Sequence, residues 1–311
     1  MAQSTALLRV GTRGSPLALV QARMLRGRLA AALGCGDDAI ELVTIRTSGD
    51  VIQDRPLAEE GGKGLFTKEI EEALLARSID LAVHSAKDMP TVLPKGLMLA
   101  ACLEREDPRD VFISHKAASL AELPPNATLG TASLRRQAIA KRARPDLQVT
   151  PLRGNVETRL RKLEEGRVDA TILALAGLKR LGLESAATKV MSVQDFLPAV
   201  GQGAIGIEAR ADDTRARDML GKIDHWETSV AVACERAFLA ALDGSCKTPI
   251  AGLAEIDDGM LRFRGLILAP DGSEWHEIGL DGAAENAASI GTDAGEELLA
   301  RAGPEFLASL A

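Results

Sequence analysis

The amino-acid sequence predicts an α/β protein of two similar halves with mixed, mostly parallel sheets, followed by a small α+β domain with a three-stranded antiparallel sheet. Three observations carry this. Strand-like and helix-like stretches alternate along the first two thirds of the chain, the order that builds parallel-rich sheets. That order occurs twice, with Gly11-Thr12…Ser15 answering loosely to Gly130-Thr131…Ser133. After Gly221 the texture changes, and three strand-like stretches follow one another with turn residues between them.

Residues 7–11, LLRVG, read as a strand. TRGSP then leads into the helix LALVQARMLRGRLAAAL, with Pro16 near its start, where a missing N–H costs nothing. IELVTIR at 40–46 alternates as a strand does. Phe66, Ile70, Ala73 and Leu74 fall on one helix face behind the glycine-rich run Gly61, Gly62 and Gly64. IDLAV at 79–83 reads as a buried strand ending at HSAKDMP. In the second half, TLG (128–130) leads into the helix TASLRRQAIAKRA. LQVTPL, the helix RGNVETRLRKLEEG and the strand VDATILALAGL follow. Residues 229–242 form an apolar helix that Asp243-Gly244 can stop. TPIAGLAEI, MLRFRGLIL and EWHEIGL are the three late strands, separated by Asp257-Asp258-Gly259 and Pro270-Asp271-Gly272. A last helix covers roughly 283–301.

The composition excludes several classes. With 311 residues, 46% hydrophobic and 26% charged, the chain has material for real cores. Aromatics make up 3% and Tyr is absent, which argues against base-stacking recognition of nucleic acid. No apolar run approaches the roughly 18–20 residues that span a bilayer. The start, MAQSTALLRVGTRGS, lacks the pattern of a secretory signal, so a cytoplasmic protein is expected. Cys35, Cys102, Cys234 and Cys246 lie far apart with no CxxC, which makes a disulfide framework or a metal site improbable. The net charge is −7, yet residues 130–180 hold 12 Lys and Arg against 5 Asp and Glu. A basic segment in an acidic chain points to a confined site for a small anion.

Three groups could carry chemistry. Arg13, Arg135, Arg136, Arg153, Arg159 and Arg180 include several at strand–helix junctions, beside Gly, Ser or Thr. Arginine offers a planar fork to a carboxylate, and such junctions add free backbone N–H groups. The bland alternative is a set of solvated helix faces. The HSAKD turn places His84, Ser85, Lys87 and Asp88 at a strand end. An anionic Asp there can stabilise a developing cation or hold an ammonium leaving group. The alternative is a hydrogen-bonded turn, and His84 alone reads as structural. Cys246, in LDGSCKTPIA, follows a helix C-terminus, where the dipole disfavours a thiolate. It is therefore not marked as an activated nucleophile, and the other cysteines read as structural.

Taken in order, VGTRGSPLALVQA, GGKGLFTKEIE, DLAVHSAKDMPT, EREDPRDVFIS, GTASLRRQA, LRGNVETRL, ILALAGLKRLG, PAVGQGAIGIE and ERAFLAALDGSCKTPI resemble the porphobilinogen deaminase (hydroxymethylbilane synthase) family. The resemblance runs from residue 10 to residue 250, and the stretch after 252 is assigned by position only. It implies two α/β domains of the periplasmic-binding-protein kind, 1–103 with 204–221 and 104–203, and a C-terminal domain at 222–311. It implies a transferase of tetrapyrrole (haem-type) biosynthesis that joins four porphobilinogen molecules head to tail into hydroxymethylbilane and releases ammonia. It also implies a dipyrromethane cofactor attached through a thioether to Cys246. Asp88 takes the catalytic role. Arg13, Ser15, Lys63, Ser85, Lys87, Thr131, Ser133, Arg135, Arg136, Arg153, Arg159 and Arg180 take the carboxylates of cofactor and substrate, with Phe66 and Gln202 lining the cleft. Each pyrrole ring carries an acetate and a propionate, which gives a crowd of arginines a reason. The small-molecule substrate is the expected partner, with no nucleic acid, no membrane and a monomeric state.

Two rival readings remain from other classes. A non-catalytic anion-binding module would leave Cys246 and Asp88 idle. A cysteine hydrolase using Cys246 and His84 lacks a local nucleophile signature.

Overall fold

Strand β1 (Leu8–Thr12) is laid down by LRVGT, with Leu8 and Val10 buried, and α1 (Pro16–Leu33) follows after three residues. Ser15 caps α1, its hydroxyl accepting from the Ala18 N–H, and Gly34 closes the helix in the left-handed conformation at φ 67°. The computed structural model describes residues 6–51, 64, 66–242 and 249–309. Lys63 and Cys246 lie outside the described residues.

The chain divides into two compact units, Met1–Arg105 with Ala204–Ser229, and Glu106–Gly203 with Val230–Ala311. The first holds β1, α1, β2 (Ile40–Thr44), α2 (Ser48–Val51), α3 (Lys68–Leu75), β3 (Leu81–Ser85) and β4 (Leu97–Cys102). Its sheet runs β2-β1-β3, then a strand from much later in the chain, then β4. β1 pairs in parallel with β2 and β3, whereas the late strand is antiparallel to both of its neighbours.

The second unit repeats the plan with β5 (Asp110–Ser114), β6 (Thr128–Gly130), α4 (Leu134–Ala143), β7 (Gln148–Thr150), α5 (Val156–Glu164), β8 (Ala170–Ala174), α6 (Leu175–Leu181) and β9 (Lys189–Val190). Its sheet runs β7-β6-β8-β5-β9. β6 pairs in parallel with β7 and β8, and β5 is antiparallel to β8 and β9. The late strand of the first sheet is β10 (Ile205–Arg210), followed by α7 (Thr214–Leu220). Each sheet thus takes its antiparallel member from chain that has just come from the other unit. The sheets are mixed, as expected, but evenly so and not mostly parallel, with two parallel and two antiparallel pairings in each.

Helix α8 (Trp226–Ala241) leads to β11 (Ile250–Asp257), β12 (Met260–Leu268), β13 (Trp275–Ala283) and α9 (Ala287–Ser309), which breaks at Gly303. The three strands form one antiparallel sheet. Asp258 and Gly259 join β11 to β12 with φ of 48° and 77°, the two left-handed residues of a type I′ hairpin. Leu253, Leu266 and Leu268 share a core with Phe112, Leu129, Ile139 and Phe196, so the small sheet and the second five-stranded sheet are one packed body.

Some expectations need correction. α3 begins at Lys68, so Phe66 precedes the helix and is not part of its face; Ile70 and Leu74 are its fully buried residues. The last helix starts later and runs further than 283–301, because β13 extends to Ala283. Strands β4, β5, β9 and β10 have no counterpart among the expected elements. β5 and β10 are buried at every position, so they show no alternation. β10 also carries Glu208 and Arg210, which mask it further.

Candidate active site

In the first unit, β1 and β3 are parallel neighbours, so their carboxyl ends open on the same side of the sheet. Arg13 and Ser15 follow β1, and Ser85 and Asp88 follow β3 through the short turn Ala86–Asp88. These four residues line one pocket together with Gln21, Phe66, Thr67 and His84. The Arg13 guanidinium lies 4.1 Å above the Phe66 ring, which holds the cation in place. The Ser85 hydroxyl is oriented by Gln21, whose amide nitrogen donates to it at 2.9 Å. Gln21 is almost wholly buried and was not among the sequence candidates. Its only signal is an amide on the buried side of an otherwise apolar helix face. Lys87 lies half-buried in the same turn as Asp88. His84 is buried with Nε2 3.3 Å from Glu208 Oε2, in keeping with the structural role read from its sequence context.

In the second unit, Ser133 caps α4 and Thr131 Oγ1 accepts from the Ser133 N–H at 3.1 Å. These hydroxyls and the α4 N-terminus make a donor-rich corner at the end of β6. Arg135 and Arg136 follow directly, and both are buried. They converge on Asp110: Arg135 Nη2 reaches Oδ2 at 2.7 Å, and Arg136 Nη2 reaches Oδ1 at 2.8 Å. Gln202 donates to the same carboxylate at 3.0 Å. Burial pushes the Asp110 carboxyl up, but the two guanidinia outweigh it and bring the pKa down to about 2. Burial lowers the Arg135 guanidinium despite Asp110. Asp110 is the functional candidate that sequence reasoning missed; it stands in the family-like stretch EREDPRDVFIS, directly before an apolar run.

The other arginines are spread over the same unit. Arg153 is half-buried after β7, and its carbonyl accepts from Lys162 Nζ at 3.0 Å. Arg159, on α5, donates through Nε to the Gly154 carbonyl at 2.8 Å, so the two meet at one loop. Arg180, near the end of α6, donates to the Gly203 carbonyl at 2.6 Å. Burial lowers its pKa to about 10, partly offset by Glu106. The Nε groups of Arg135 and Arg180 are buried without hydrogen-bond partners. A surplus of buried cationic donors suits a ligand that brings carboxylates of its own.

Among the cysteines described, Cys102 and Cys234 are buried and Cys35 is partly exposed; all are free thiols. Burial, with Glu235 beside it, pushes the Cys234 thiol up to about 12, which removes it as a nucleophile. No described helix is long and apolar enough to cross a membrane.

Residues 8–218 match the family model described as porphobilinogen deaminase, dipyromethane cofactor binding domain. Residues 229–300 match porphobilinogen deaminase, C-terminal domain. The porphobilinogen deaminase of Nitrobacter winogradskyi is 59% identical over 300 residues, covering 96% of this chain and 95% of that protein. That of Nitrobacter hamburgensis is 58% identical over the same length and shares. Among solved structures, an ABC transporter periplasmic substrate-binding protein from Coxiella burnetii aligns with 70% of this chain and 92% of that chain, at 15% identity and a TM-score of 0.43. On two family models in sequence order and near-60% identity along almost the whole length, the chain belongs to the porphobilinogen deaminase family.

Proposed function

We infer that this chain is a transferase of tetrapyrrole biosynthesis that condenses four porphobilinogen molecules head to tail, releasing ammonia at each addition, and frees the product as hydroxymethylbilane by hydrolysis, with water supplying its hydroxyl. The match of residues 8–218 to the cofactor-binding domain of the family carries this reading. The donor set fits a dipyrromethane cofactor, because its carboxylates answer the buried guanidinium surplus around Arg135, Arg136 and Arg180. When bound, through a thioether to Cys246, dipyrromethane supplies the nucleophilic pyrrole position on which the chain grows.

The protein's own residues divide the remaining work. Asp88 lines the Arg13 pocket and brings a negative charge to it. When the aminomethyl C–N bond of porphobilinogen breaks, the amine leaves as ammonia and a cationic pyrrole remains, which Asp88 stabilises. Arg13, Ser15, Ser85 and Lys87 hold substrate carboxylates near that point, and the family resemblance gives Lys63 the same role. Phe66 fixes the Arg13 guanidinium by stacking. Thr131, Ser133, Arg135, Arg136, Arg153, Arg159 and Arg180 hold the carboxylates of the cofactor and the lengthening chain, and Gln202 steadies the arginine pair. Three sheets support a division into three domains, 1–103 with 204–221, 104–203, and 222–311, the last two sharing one packed core. The chain acts as a cytoplasmic monomer on its small-molecule substrate.

Intact mass decides between this reading and a plain anion-binding module. The purified protein is expected to weigh one dipyrromethane more than its sequence and to release ammonia from porphobilinogen. A protein of unmodified mass that binds porphobilinogen without consuming it overturns the reading.

A further inference from the structure

The Asp110 carboxylate has no exposed surface, yet its four close contacts are all donors. Oδ2 accepts from Arg135 Nη2 at 2.7 Å. Oδ1 accepts from Arg136 Nη2 at 2.8 Å, Arg136 Nε at 3.2 Å and Gln202 Nε2 at 3.0 Å. Gln202 is itself pinned by donating to the Pro108 carbonyl at 2.7 Å. Arg135 is held at its far side by the Leu197 carbonyl at 2.7 Å, with Phe196 below its guanidinium. Two guanidinia therefore share one carboxylate in a buried place.

A purely structural pair would be balanced, because an uncompensated buried charge is costly. The first unit shows that balance: Arg210, equally buried, and the partly exposed Arg9 face Asp213 and Asp80, two cations for two carboxylates, and the Leu74 and Ile79 carbonyls accept from Arg210. At Asp110 that balance is absent, with one carboxylate for two cations.

We propose that Asp110 is the positioning residue of the anion site. It fixes the planes of Arg135 and Arg136, with Gln202 as its clamp, and leaves the pair one positive charge for a ligand carboxylate to neutralise. This rests on the reading of Arg135 and Arg136 as binders of cofactor carboxylates. With two carboxylates at the hub there would be no charge left to attract a ligand. With none, the guanidinia would repel each other and lose their fixed orientation.

Covalent loading reads this out. Asp110→Asn keeps the size and removes the charge. Asp110→Asn with Gln202→Glu returns one negative charge to a position about 3 Å away, the present Gln202 to Asp110 separation. Wild type, single and double variants are made without porphobilinogen, checked for folding by circular dichroism, and given porphobilinogen at fixed concentration. The extra mass is then followed in time. The single variant is expected to load roughly tenfold more slowly or worse, the scale of losing a buried charge partner, and the double variant to regain most of the wild-type rate. A merely structural Asp110 would lower Tm and leave the loading of folded protein unchanged. Wild-type loading by folded Asp110→Asn overturns the proposal. If the single variant does not fold, the double variant decides: loading near wild type supports the proposal, and failure to fold or to load overturns it. A wild-type protein that never gains the mass would instead count against the functional reading itself.

Discussion

At the scale of single residues, the roles proposed for Asp88 and Cys246 are separable. Asp88 sits half-buried in the Arg13 pocket; in the proposed role its charge counts most once ammonia departs and a cation develops. Asp88→Asn keeps the shape and the hydrogen-bonding capacity, so folding and cofactor loading should survive. Its loss should fall on turnover by about 10²–10³-fold, with less effect on substrate affinity. Single-turnover ammonia release from protein of confirmed loaded mass measures this, and a wild-type rate would return Asp88 to the role of a turn residue. Cys246→Ser should give a folded protein of unmodified mass with no activity. The same change at Cys234, packed in the C-terminal core, should cost stability and leave the extra mass in place. Intact mass spectra of both variants test the pair together.

At the scale of elements, the C-terminal core depends on a close helix crossing. A Cβ on Gly291 of α9 would come within 2.1 Å of the Cys234 carbonyl oxygen of α8, and one on Gly295 within 2.5 Å of the Ala241 Cβ. Glycines four apart on one helix thus meet the backbone and small residues of the other. The obstruction at Gly291 is backbone, which cannot turn aside as a side chain can. Gly291→Ala should therefore destabilise by about 1–3 kcal/mol through overpacking, although alanine is the better helix former. A urea melt that shows equal or greater stability would mean that the helices separate freely. The Asp258-Gly259 hairpin is a gentler case. Gly259, at φ 77°, meets nothing within 4 Å, so Gly259→Ala should cost only the backbone strain of about 1 kcal/mol.

At the scale of the whole molecule, acid stability is tied to the arginine hub. The Asp110 carboxyl, raised by burial and lowered further by Arg135 and Arg136, is brought from the ordinary 3.8 down to about 2. Between those values the unfolded chain binds more protons than the folded one. The stabilisation is therefore whole above about pH 4 and is lost as pH falls through 2, and it is worth about 2 kcal/mol. Urea melts taken from pH 5 to pH 2 should show wild type losing this increment and Asp110→Asn lacking it. Glu71 works in the opposite sense. Burial raises its carboxyl, Thr67 opposes, and Glu208 raises it again, so stability falls as pH climbs through its folded value. Glu71→Gln should raise Tm at pH 7, and the gain should shrink toward pH 4.

Features that rest on local pattern were legible in the amino-acid sequence. Half-exposed strands such as β2 alternate, helices such as α1 and α5 have capping residues and apolar faces, and the Asp258-Gly259 turn has one favoured geometry. Glycine-flanked arginines and the HSAKD turn marked the anion-binding and catalytic candidates, because arginine offers a planar fork to a carboxylate and the turn gathers four polar side chains at a strand end. Only the tertiary structure decided what depends on partners distant in sequence. β5 and β10 are buried on both faces and become strands by pairing across long connections, so no local period betrays them. Asp110 stands 25 and 26 residues before the arginines it holds, and Gln202 reaches it from 92 residues away. Its meaning arises from convergence: a lone aspartate before an apolar run is unremarkable until the fold surrounds it with two guanidinia and excludes water, which turns an ordinary charge into the one that orients the site.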